Sequence, residues 1–80
     1  MLTSKQSILL MSAGVLLGRA SDVLSDFEVE LVADVCTRYA ADKADTVVTD
    51  HEWPVIEAAV GAMRPVVHAR ALACVAEVFA

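Results

Sequence analysis

Hydrophobic and polar positions divide this chain into three stretches. The first runs from Ile8 to Gly18 with only Ser12 and the glycines relieving its apolar character, and polar residues thin out after Gln6. A helix from about Ser4 to Arg19 is predicted, apolar nearly all round and so buried on more than one side. The second stretch alternates at helical spacing. Phe27, Leu31, Val32, Val35, Cys36 and Tyr39 gather on one face, and Glu30, Asp34, Thr37, Arg38 and Ala41 on the other. This predicts an amphipathic helix over about Asp26 to Lys43. The third stretch starts at Thr49 and continues to Phe79, interrupted by Pro54 and Pro65.

Helix starts are marked by a local signal that occurs three times. Thr3-Ser4-Lys5-Gln6, Ser25-Asp26-Phe27-Glu28 and Thr49-Asp50-His51-Glu52 each fit S/T-x-x-E/Q. In this capping box the hydroxyl accepts from the N3 backbone N–H, and the N3 side chain accepts from the cap's own N–H. Leu24 with Val29, and Val48 with Trp53, add the hydrophobic staple that fixes the entry of the chain into the helix. Charges agree with the directions assigned: Asp26 and Glu28 suit the positive end of the second helix, Arg38 and Lys43 its negative end. Asp34 and Arg38 form an i,i+4 pair in the favourable order.

Connections are short. Ala20 to Leu24 joins helices one and two, which places them antiparallel, and Ala44 to Val48 joins two and three, with Thr46-Val47-Val48 extended. Pro65 removes a hydrogen bond to the carbonyl of Gly61 and crowds that turn, so the third helix is predicted to be kinked there, or split with Pro65 opening a fourth segment. With almost no loop material around Pro65, the kink is the favoured reading. A straight helix of thirty residues would measure about 45 Å, longer than a domain of this size is wide. Either the bend folds the helix back over the other two, or its end reaches into a partner subunit. The fold class is all-α: one domain, residues 1–80, built as a small three-helix bundle completed by homo-oligomerisation.

Composition supports the last point. Apolar residues make up 58% of 80 positions, and a chain this short has too little interior to hide them all. Cys36 and Cys74 are too few for a disulfide framework and lack zinc-site spacing; both read as buried, inert thiols. Gly14 and Gly18, four apart, permit close approach of another helix. The first apolar run is too short to span a bilayer and has the length of a signal-peptide core, but it stands behind a helix cap. A buried helix is the favoured reading, with no membrane span and a cytoplasmic location. The net charge is −5, and the six basic residues are scattered, which disfavours nucleic acid as a partner.

No motif carries chemistry. Asp50, His51 and Glu52 are adjacent, but neighbours on a helix point apart and HExxH spacing is absent; capping explains Glu52. No catalytic residue, metal site or cofactor is assigned. Glu57, Arg64 and His68 fall on one stripe of the third helix and, with Trp53 as an anchor, form the candidate partner-binding set. The functional expectation is a non-enzymatic acidic module, a homodimer that binds and modulates or inhibits a larger protein, as an accessory protein of a phage or mobile element does with a host factor. Two alternatives stand beside it. One is a helix-turn-helix-like DNA-binding regulator using Arg64 and Arg70, although the connection lacks the usual glycine-bearing turn. The other is a small enzyme subunit or metal-binding protein using Asp50/His51/Glu52.

Overall fold

Three helices follow one another in an up-down-up arrangement, seen in a computed structural model that describes the backbone of residues 1–79 and side chains through Val75. The side chains of Glu77 and Phe79 lie outside the described residues. The helices are α1 (Ser4–Ala20), α2 (Asp26–Asp42) and α3 (Glu52–Phe79), with 3-10 turns at Ser21–Val23 and Lys43–Asp45.

Two of the three capping boxes form in full. Gln6 N–H donates to Thr3 Oγ1 at 3.1 Å, and Thr3 N–H donates to Gln6 Oε1 at 2.9 Å. Ser25 and Glu28 repeat the exchange at 3.3 and 3.1 Å. The third box forms only by half. Thr49 N–H donates to Glu52 Oε1 at 3.0 Å, but the Thr49 hydroxyl donates to the same oxygen instead of accepting from the backbone. The chain enters α3 through a turn at Asp50 and His51, and the helix starts at Glu52 instead of directly after Thr49. The reason is visible across the bundle: the Glu52 carboxylate is also held by the Arg38 guanidinium.

The direction of each helix follows from contacts at the two ends. At the lower end Leu2 N–H donates to the Ala44 carbonyl at 2.8 Å, and Met1, Leu2 and Gln6 share a hollow with Thr46, Val48 and Trp53. At the upper end Arg70 donates to the Arg19 carbonyl at 2.9 Å and pairs with Asp22 at 2.7 Å. So α1 and α3 run parallel, with α2 antiparallel to both, and the α1–α3 interface is the most extensive. The core is a column of Leu10, Ala13, Leu16 and Ala20 from α1, Val32 and Val35 from α2, and Ile56, Ala59, Val60 and Met63 from α3. A Cβ on Gly14 would meet Cys36 Sγ at 3.7 Å, whereas Gly18 faces open space. Only the first glycine serves the close approach expected of both.

α3 is one unbroken helix through Pro65. Gly61 and Pro65 are both exposed, so the carbonyl that loses its partner faces water, which offsets much of the loss. The helix does not fold back. Beyond Arg70 it continues for nine residues, about 13 Å, past the end of α1. The molecule measures 47 × 24 × 18 Å with a radius of gyration of 13.9 Å, against about 12 Å for a compact domain of this length.

Three sequence expectations are corrected. α1 is not buried on several sides, since Ile8, Met11 and Val15 are 51–63% exposed. Phe27 is 65% exposed, not part of the core face of α2. Cys74 is exposed, because it lies on the projecting part of α3, whereas Cys36 is partly buried.

Candidate protein-binding surface

The exposed apolar residues of α1 form a line. Ile8, Met11 and Val15 recur at three- and four-residue steps, and Lys5, Ser12 and Arg19 on the same side mark it as the solvent face. Leu10, Ala13 and Leu16 on the opposite side of α1 are buried and Gly14 lies against Cys36 of α2, while this line stays uncovered. Beside it, Arg64 of α3 closes a shallow hollow whose floor is Ile8, Met11, Val15 and Leu16. A second hollow lies one turn further up the same α1–α3 seam, lined by Arg19, Val67, Arg70, Ala71, Cys74 and Val75. The two hollows follow one another along α1 and α3 and both have arginines on their rims; end to end they trace the α1–α3 groove.

Charge is segregated in a way the net value conceals. Residues 22–50 hold eight of the eleven carboxylates, while α1 has none and neither does the stretch from 58 to 75. α2 therefore presents Glu30 and Asp34 to solvent, both exposed, and α1 and α3 present Lys5, Arg19, Arg64 and Arg70, with Glu57 the exposed carboxylate on the stripe of Arg64. Arg70 is shared with Asp22, whose carboxyl is held below its usual range by that guanidinium. Among the described residues no carboxylate pairs with Arg19 or Arg64.

The predicted partner-binding residues are divided by the fold. Glu57, Arg64 and His68 are all exposed along one outer stripe of α3. Arg64 alone reaches the groove. Trp53 is partly buried at the lower end, against Leu2 and Val48, and is remote from Arg64 by about three turns of helix. The α1 line was legible in part: Lys5, Ser12 and Arg19 stand seven apart and betray a solvent-facing side. What periodicity does not reveal is that the residues between them stay exposed too.

Asp50, His51 and Glu52 do not converge. Asp50 and His51 are exposed in the turn before α3, and Glu52 is engaged with Arg38. The Arg38 hydrogen bonds, with help from Thr49 N–H, lower the Glu52 carboxyl to about 2. Arg38 also bridges to Asp34 at 3.0 Å, the pair expected from spacing, and donates to the Val47 carbonyl at 2.8 Å. The cluster thus ties α2 to the start of α3. Cys36 directs its thiol toward the Leu10 carbonyl at 3.8 Å, and burial pushes its pKa up, which disfavours the reactive thiolate. No group of three metal-ligating side chains occurs among the described residues.

By length and composition, α3 over Glu52–Val75 is apolar enough to cross a membrane. Its lower half supplies the four α3 residues of the core, and 17% of its apolar window is buried. No family model matches this chain, and no curated protein or solved structure is detectably similar to it.

Proposed function

We propose that this chain is a non-enzymatic protein-interaction module that self-associates, binds a larger protein and modulates or inhibits it, in the cytoplasm and without a membrane span. The observation that carries the reading is the uncovered apolar line Ile8, Met11 and Val15, which offers a face to a larger partner; Leu72, exposed on the projecting end of α3 and outside both hollows, offers a separate one to a second copy. Grouped apolar side chains on so small a body favour association over exposure to water. The solvent-facing Glu57/Arg64/His68 stripe would form the polar rim that such interfaces have, and Trp53, held at the lower end, would lie outside it.

The test combines solution mass with partner capture. Light scattering across a dilution series is expected to show a dimer that persists on dilution. Immobilised protein is expected to retain one source-cell protein saturably, and Met11→Asp to lose it. A monomer at every concentration, with no saturable partner, would overturn the proposal.

A further inference from the structure

We infer that the α1–α3 groove receives an acidic amphipathic helix of the partner protein; this rests on the interaction-module reading above and assigns the partner's chemistry. The shape is that of a helix slot. Two parallel helices flank an apolar floor from Ile8 to the level of Arg19 and Arg70, about 16 Å, and α3 alone continues it to Val75, about 24 Å in all or about sixteen residues of helix. A third helix laid there would complete a four-helix arrangement, and helix-in-groove docking is a common mode of recognition.

Charge selects the occupant. Among the described residues no carboxylate lines either hollow, and Arg19 and Arg64 border them without a carboxylate partner, while Arg70 is paired with Asp22; the net charge of the chain is −5. A helix carrying an apolar stripe between glutamates or aspartates satisfies floor and rim together. A second copy does so poorly. Groove against groove would bring the arginines of both copies together. The chain's own acidic surface is on α2, across the bundle from the groove, so α2 of one copy in the groove of another leaves an open groove and an open α2 at the ends and does not close. Nucleic acid rewards phosphate neutralisation, and here two arginines without a carboxylate partner, Arg19 and Arg64, border a floor of aliphatic side chains.

The test uses the full chain and two labelled eighteen-residue peptides with one leucine stripe, flanked by glutamate in one and lysine in the other. Fluorescence anisotropy is expected to show the glutamate peptide binding at least about tenfold more tightly, since opposite charge across an interface selects partners, with the margin shrinking as salt is raised. Arg64→Glu should remove or reverse the preference, and Val15→Asp should abolish binding; both positions are exposed, and circular dichroism checks that each variant folds. Equal binding of the two peptides, or binding of neither, overturns the inference. Binding of anionic phosphatidylglycerol vesicles or of a DNA duplex, lost in Arg64→Glu while neither peptide binds, reassigns the groove to lipid or nucleic acid. A dimer in light scattering that both substitutions dissolve gives the groove to a second copy. That result overturns the acidic-helix occupant and leaves the interaction-module reading standing, whereas a monomer with no partner removes both.

Discussion

Two residues carry most of what is unusual at the smallest scale. Lys43 closes α2 with φ 53° and ψ −127°, a region in which a side chain crowds its own backbone and which glycine occupies freely. Its N–H bonds to the Tyr39 carbonyl, and the buried Thr46 hydroxyl donates to the Lys43 carbonyl at 2.7 Å, so the turn is held in place despite the strain. Lys43→Gly is expected to stabilise the protein by about 1 kcal/mol, read from the midpoint of urea unfolding. Glu52 is the second. Its carboxyl is lowered from 4.5 to about 2 by Arg38 first and Thr49 second. A carboxylate held low in the folded state contributes stability that is complete above pH 4.5 and disappears as pH falls toward 2. Glu52→Gln should lower stability at neutral pH and flatten the acid limb over that interval. An unchanged acid limb would show that other carboxylates set it.

Helices and their directions were legible because their signals are local. Thr3 and Ser25 cap as their sequence motifs predict, and α2 ends within one residue of its expected limit. Faces were less legible. Steps of four residues advance 400°, 40° beyond a full turn, so Phe27 drifts about 120° from Tyr39 and leaves the core stripe that Val32 and Val35 define. For α1, composition alone could not say which apolar side chains find neighbours, since that depends on how α2 and α3 divide its circumference. The candidate surface was therefore read only through Arg64, and its α1 wall emerged from packing. Pro65 belongs to this scale too. Proline inside a helix is about 3 kcal/mol less favourable than alanine, and here the freed carbonyl is on the wet side. Pro65→Ala is expected to raise stability by some part of that amount while leaving helix content nearly unchanged by circular dichroism. A loss of stability would mean that the local geometry at Pro65 is built into the packing of Val66 and Val67.

The whole molecule is a short bundle with one overlong member. Among the described residues the buried core and the bridges between helices lie at or below the level of Arg70, and the contrast is measurable. Met63 is fully buried between the helices, and Met63→Ala should cost about 2–5 kcal/mol through lost burial and an unfilled space. Leu72, 57% exposed on the projecting segment, should change monomer stability by no more than about 0.5 kcal/mol on substitution by alanine. If Leu72→Ala proves as costly as Met63→Ala at a concentration where the protein associates, and harmless where it is monomeric, the projecting helix is stabilised by contact with another molecule.

The parallel pairing of α1 with α3 also bears on how the molecule is made. α1 leaves the ribosome before α2 and α3, yet the helix with which it shares its most extensive interface is the last of the three to be synthesised. Until the residues around Met63 emerge, Leu10, Leu16 and their neighbours have only α2 to lean on, and the nascent chain is an incomplete hairpin with an open apolar side. The interval between the emergence of α1 and that of α3 thus sets how long that side is available to chaperones or to neighbouring nascent chains.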